Sequence, residues 1–339
     1  MPVSPSSTVD PAGVVTPAGP SGPGLPPPRR RGGGGRGGPR VPRAGRSRAV
    51  PWLFLAPYLC FFGLFVVAPA LYGLYVSLFD WDFAFPGYRP FVGLENYRQL
   101  FVEGSLDHAS FWRSMRGTGI FVVLTVPLLV VVPLGVALLV NRPFRGRTAL
   151  RAAFFAPYVL GVAVVGVLWK FVLDTQHGIL NSLLGAVGLR SDIPWLQQEP
   201  WVWFSLVGAT LWWTLGFNAI IYLAGLQSIP RDQYEAAALD GAGRWTTFTR
   251  ITLPGLRPVV VFVVMITVLA SANVFGQPYV MTSGDPNNAT RSAIMYMSDV
   301  GLGQSRMGAA AAMSYILALV LVVVSLVNFR FLVARDGDA

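Results

Sequence analysis

Two short runs inside otherwise apolar stretches carry the side chains best able to hold a ligand. The first is Thr210, Trp212, Trp213, Thr214, Phe217, Asn218 and Tyr222; the second is Ser271, Asn273, Phe275, Gln277 and Tyr279. Hydroxyls and amides pair with the hydroxyls of a neutral polar solute, while aromatic rings cover its apolar faces. Asn273 stands out because an amide at that depth needs a partner. The same residue types also mark membrane interfaces and tie helices together, so each has a structural reading beside the binding one. Catalytic chemistry has no comparable foothold. Lys170 is the only lysine, so no Gly-x-x-x-x-Gly-Lys-Ser/Thr phosphate loop exists. His108 and His177 are the only histidines and lack metal-ligand spacing to Cys60 or to carboxylates. No catalytic set, metal or cofactor is expected, and Asp107-His108 reads as a solvated external pair.

The elements that must position these runs are membrane spans. Hydrophobic residues make up 53% of the chain and charged residues 12%, against roughly 25% charged in a soluble domain; mean hydropathy is +0.53. Six stretches reach the length of about 20 apolar residues that a spanning helix needs: 52–79, 119–140, 152–173, 201–226, 259–281 and 308–332. The fold class is an all-α membrane protein of six transmembrane helices. Pro57 and Pro69 in the first span, and Pro127 and Pro133 in the second, are expected to bend their helices. The span interiors hold almost no ionisable group, Lys170 and Asp174 lying towards one end of the third. That speaks against a pump driven by intramembrane protonation. Cys60, the single cysteine, is expected to be a buried inert thiol in the first span, which reads as an uncleaved signal-anchor.

Charge placement gives an orientation. The net charge is +10, and residues 1–50 hold eight arginines and one aspartate. With that tail fall Arg142, Arg145, Arg147, Arg151, Arg231, Arg244, Arg250, Arg257, Arg330 and Arg335; Arg89, Arg98, Arg190, Arg291 and Arg306 fall opposite, and Arg113, Arg116 and Lys170 are assigned to neither side. The positive-inside rule then places both termini in the cytoplasm, together with the polar segment at about 228–256. Residues 1–50 are too rich in Pro, Gly and Arg to bury a core and read as a disordered basic tail near anionic lipid. A nucleic-acid role lacks the stacking aromatics it would need there.

The polar segment EAAALDGAGRWTTFTRITLP, 235–254, has its own local logic. Pro230 can open a helix, and Asp232 and Glu235 suit its positive end. Ala236, Ala237 and Ala238 favour helix and leave room for another surface. Asp240-Gly241 is a stop, since glycine reaches the left-handed conformation freely. A second short helix is expected over 244–251, and Pro254 is expected to keep it from continuing.

Glu235-Ala236-Ala237, three residues, Gly241, nine residues, Ile251, one residue, Leu253-Pro254 resembles the signature loop of permease subunits of bacterial binding-protein-dependent ABC importers. From residue 51 onward, Leu55-Ala56-Pro57-Tyr58, Gly93-Leu94-Glu95-Asn96-Tyr97 and Gly178-Ile179-Leu180-Asn181 resemble landmarks of the sugar-importing branch (the maltose, glycerol-3-phosphate and multiple-sugar types). Gly117-Thr118 departs from the Asn-Thr pair that often opens the second helix there. The resemblance implies the type I importer permease fold, with residues 51–339 as the transmembrane domain. It implies that the loop residues Glu235, Ala236, Ala237, Asp240, Gly241, Ile251, Leu253 and Pro254 couple to a separate ATPase. It also implies a substrate path from the third to sixth helices, drawing on Tyr158, Thr210, Trp213, Thr214, Phe217, Asn218, Ser271, Asn273, Phe275 and Gln277. The partners it implies are a second homologous permease, two cytoplasmic ATPase subunits and an external solute-binding protein, in the bacterial cytoplasmic membrane. A permease for polyamines, phosphate esters or peptides is the alternative within transport, and a membrane scaffold or sensor the alternative outside it.

Overall fold

The computed structural model describes residues 49–85 and 87–333. The basic tail expected over 1–50 lies outside the described residues except for its last two positions, and residues 334–339 lie outside them as well. The chain divides into two units, Met1–Pro57 and Tyr58–Ala339. The described part of the first is the opening of one helix, and the remaining helices belong to the second.

The helices run α1 (Ala49–Phe62), α2 (Ala68–Ser77), α3 (Glu95–Arg98), α4 (His108–Asn141), α5 (Arg147–Phe155), α6 (Val162–Val172), α7 (Ile179–Ala186), α8 (Trp201–Ser228), α9 (Arg231–Leu239), α10 (Arg244–Thr247), α11 (Leu253–Ala272), α12 (Gly276–Met281), α13 (Ala293–Ser298) and α14 (Met307–Val333). Among the described residues the only β pairing is two isolated bridges. Among the described residues five helical stretches are long and apolar enough to cross a membrane, and the bent pair α5–α6 makes a sixth.

Four expectations about the spans need correction. The third is not a straight helix over 152–173. A 3-10 turn at Ala156–Val159 and the extended residues Leu160 and Gly161 separate α5 from α6, which meet at 101°. Pro157 inside that turn offers no N–H to continue the ladder. The second span begins at His108, eleven residues early, because one face of its first turns, Phe111, Ser114, Gly117 and Thr118, is buried against the rest of the fold. The fifth is interrupted at Asn273–Phe275, between α11 and α12. Finally, Pro254 does not stop its helix: helical residues are continuous from Arg244 to Ala272.

The continuity through Pro254 has a physical reason that recurs in the first span. A π turn at Phe248–Thr252 ends two residues before Pro254, and another at Gly63–Val67 ends two residues before Pro69. A proline ring collides with the carbonyl four residues back; a widened turn moves that carbonyl off the i−4 position.

The helices pack as three layers of contact. Near one end Phe121 of α4 meets Val202, Trp203 and Leu206 of α8; at the other, Ala137 meets Tyr222 and Leu226, with Leu256 and Val263 of α11. These pairings make α4 and α8 parallel neighbours. A third cluster joins Phe111 of α4 to Tyr296 and Val300 and to Ala310 and Met313 of α14. Lipid tails are as apolar as leucine, so close packing and interhelical hydrogen bonds, not transfer from water, hold such helices together. Asn218 supplies one such bond, its Nδ2 donating to the Leu129 carbonyl at 3.0 Å.

Two side chains sit otherwise than expected. Cys60 is exposed, not buried, because the window of the first span has no buried residue. Asp107 is no solvated residue: it is 2% exposed, with both carboxylate oxygens taken by Arg306 at 2.9 and 2.7 Å. The Tyr296 hydroxyl also donates to it at 3.0 Å. His108 Nδ1 lies 2.9 Å from the Leu100 carbonyl.

The Gly117-Thr118 pair has a role of its own. A Cβ on Gly117 would lie 2.7 Å from the Ala289 carbonyl oxygen, so only glycine lets the 284–291 turn approach α4. Thr118 Oγ1 accepts the Ala293 N–H at 2.9 Å and donates to Ser114 O at 3.0 Å, which anchors the start of α13.

Candidate functional site

The breaks in the third and fifth spans pack together at Val162 and Gly276 and, with α8, frame a cavity of about 510 Å³. All ten residues expected along the substrate path line it: Tyr158, Thr210, Trp213, Thr214, Phe217, Asn218, Ser271, Asn273, Phe275 and Gln277. The breaks explain why. Freed from the helix ladder, the Leu160 carbonyl accepts Trp213 Nε1 at 3.0 Å, tying the third span to α8. Tyr158, on the 3-10 turn, stacks on Phe217 with ring centroids 4.7 Å apart and planes 14° apart. Phe275, in the fifth-span break, stacks on Tyr279 at 5.0 Å.

The polar lining divides by how its hydrogen bonds are used. Thr210 and Thr214 donate to the carbonyls four residues back, at 2.8 Å each, and their lone pairs remain available as acceptors. Asn218 is buried and its amide ties α8 to α4, with Thr267 Oγ1 at 3.5 Å as a further neighbour. Asn273, capping α11, finds its partner in the last turn of that helix, Nδ2 donating to Leu269 O at 2.8 Å. It lines this cavity and also a second one, of about 750 Å³, between α2 and α14. Among the described residues around the first cavity there is no carboxylate, ammonium, guanidinium or imidazole. Such a lining can hydrogen-bond and stack a polar uncharged molecule; it offers no counter-charge.

Sequence reasoning missed Thr267, Phe262 and Ile266, which also line the cavity. Thr267 stands four residues before Ser271, so helical spacing puts both on one face, and that signal could have found it. Trp212 and Tyr222 lie elsewhere: Trp212 meets Trp169 edge-on at 5.8 Å, and Tyr222 is fully buried against α11.

The 228–256 loop is a built unit. α9 ends in a paired-hydrogen-bond cap: Gly241 N–H donates to Ala238 O at 3.2 Å and Ala242 N–H to Ala237 O at 2.9 Å. Gly241 has φ +71°, the left-handed conformation the cap requires. Tyr234 and Thr252 hydroxyls lie 3.2 Å apart, joining α9 to the π turn. Ile251 packs on the cluster of Leu226 and Leu256. Glu235, Ala236, Asp240, Gly241, Leu253 and Pro254 are exposed, and Ala237 is half-buried. Leu239 is 90% exposed and Trp245 75%, apolar side chains without cover on an otherwise polar segment.

A bundle of spanning helices with a central polar-aromatic cavity and a structured loop at one end defines a multi-pass membrane permease. Residues 104–335 match the model of the family described as binding-protein-dependent transport system inner membrane component, and the chain belongs to that family. Its relatives include the sulfoquinovosyl glycerol transport system permease protein SmoG of Agrobacterium fabrum, 30% identical over 86% of this chain and 92% of that protein. The trehalose/maltose transport system permease protein MalF of Thermococcus litoralis is 32% identical over 84% of this chain and 95% of its own. Among solved structures, a chain of the bacterial alginate ABC transporter, in complex with an alginate pentasaccharide-bound periplasmic protein, superposes with TM-score 0.69. It is 26% identical over 82% of this chain and 92% of that one. The protein is thus a membrane-spanning permease subunit of an ABC importer, located in the cytoplasmic membrane.

Proposed function

We propose that this subunit imports a carbohydrate, which passes through the cavity between the third- and fifth-span breaks. The observation that carries this reading is the lining itself: six aromatic rings, Phe121, Tyr158, Trp213, Phe217, Phe262 and Phe275, beside hydroxyls and amides and without a charged group. Sugar rings present apolar faces and many hydroxyls, and such a lining meets both. A polyamine or phosphate ester would need a counter-charge. The transport functions for which the relatives are named, of sulfoquinovosyl glycerol and of trehalose/maltose, point the same way.

The energy comes from a separate ATPase. Two such subunits bind the exposed 228–256 loops of this chain and of a second permease, with both termini on the same side. Leu239 and Trp245 supply apolar contact area, and the Gly241 cap with the Tyr234–Thr252 contact lets the loop move as a rigid piece with α11. A solute-binding protein delivers the sugar at the opposite end. Residues 51–339 form the transmembrane domain and 1–50 a basic tail.

The test is uptake of a labelled panel of mono-, di- and oligosaccharides by a strain lacking the gene, with and without its restoration. Rescue for one sugar supports the reading and names the substrate. Rescue for no carbohydrate, with the protein present in the membrane, overturns it.

A further inference from the structure

At the end of the bundle away from the 228–256 loop, the arginines are almost all spoken for. Arg98 pairs with Glu95, Arg190 with Asp192, Arg291 with Asp299 and Arg306 with Asp107. Arg89 lies over the Trp81 ring at 3.8 Å. Arg113 and Arg116 differ. Both are exposed, and among the described residues neither makes an ion pair, hydrogen bond or ring contact.

Their placement is unfavourable as it stands. They lie three apart on one face of α4, in its second and third turns, where like charges repel. They line a polar pocket of about 210 Å³ together with Glu199, Trp203 and Asn287. Glu199 shares the pocket without coming within ion-pair distance of either. Asn287 is brought there by the turn that packs on Gly117, and it holds a left-handed conformation at φ 52°. Ile120 lines this pocket and its neighbour Phe121 lines the central cavity, so the pocket stands beside the cavity's outer end.

We propose that the Arg113–Arg116 pocket is a docking point for an acidic side chain of the solute-binding protein. This rests on the importer reading of the protein. The adjoining cavity decides between an acidic solute and an acidic partner. A charged solute bound by these arginines would have to leave them for a lining that has no cation among its described residues, at a desolvation cost. A carboxylate on a docked protein stays at the mouth. Two guanidinium groups on one face match it by charge and by their planar donor geometry.

The experiment uses the complete importer, reconstituted in nanodiscs with its binding protein, and measures the dissociation constant of docking at several salt concentrations. R113Q/R116Q should weaken docking by about tenfold or more and flatten its salt dependence, with solute loaded or absent. E199Q removes a like charge from the incoming acid and should tighten docking. R190Q, which removes an external charge outside the pocket, should leave it unchanged. Docking unaffected by the double variant, or weakened equally by R190Q, would overturn the proposal. So would unchanged docking with a loss of uptake confined to uronate- or sulfonate-bearing sugars, since the pocket would then read the solute. Unmodified importer that docks the binding protein but transports no sugar would sink the carbohydrate reading alone; importer that docks no binding protein would remove the ground of both.

Discussion

Asp107 and Arg306 stand 199 positions apart in the chain, yet they share a two-point ion pair at 2.9 and 2.7 Å that joins the residue capping the start of α4 to the entry of α14. Asp107 is nearly inaccessible and Arg306 partly so. Removing one member leaves a buried charge without its partner, at a cost of about 3 kcal/mol. Arg306→Gln is therefore expected to lower the thermal unfolding midpoint in detergent markedly, and Asp107→Asn/Arg306→Gln less than the sum of the two single changes. Additive losses in that cycle would show that the pair is not coupled.

Tyr296 gives the same cluster a pH signature. Burial first, and then the Asp107 charge, push its hydroxyl up from an ordinary value of 10.0 to about 12. The folded state thus holds the phenolic proton more tightly than the unfolded one. The stability this contributes is complete below pH 10 and is lost as pH rises towards 12. The unfolding midpoint of the native protein should fall more steeply across that window than that of Tyr296→Phe. Parallel curves would contradict it.

Gly241 is the point where the loop cannot accept a side chain with a branched β carbon. At φ +71° a valine costs about 1–2 kcal/mol locally, enough to open the α9 cap without unfolding the spans. Gly241→Val should reach the membrane at normal levels, seen by immunoblot, and lose transport. Normal uptake by that variant would remove the coupling role from this turn.

Phe217 and Asn218 are neighbours in the cavity with different work. Asn218→Ala deletes the bond to the Leu129 carbonyl and leaves that acceptor buried, for a loss of about 1–3 kcal/mol in stability. Phe217→Ala removes one face of the Tyr158 stack from the cavity wall. It should raise the KM for sugar uptake about tenfold while shifting the unfolding midpoint less than Asn218→Ala does. The reverse order would exchange the two roles.

Much of this was legible in the chain because a membrane forces backbone hydrogen bonds to be local. Apolar length therefore found the six spans, though not the early start of α4 or the breaks in the third and fifth, and Asp240-Gly241 marked the end of α9, since left-handed backbone is a property of the residue itself. The ten residues that line the cavity could be selected by type, because polar and aromatic side chains stand out against an apolar run. What the sequence could not supply was partnership. Asp107 looked solvated until Arg306 was brought beside it, and nothing in the chain paired the Asn218 amide with the Leu129 carbonyl. Gly117 looked like a lapse from a pattern until the Ala289 carbonyl arrived 2.7 Å from where its Cβ would be. The 101° bend after Pro157 likewise made a cavity out of what hydropathy reads as one straight span. Hydropathy and turn propensity are sums over neighbours in the chain, whereas the state of a polar group depends on which distant atom desolvates or satisfies it, and only the packed tertiary structure decides that.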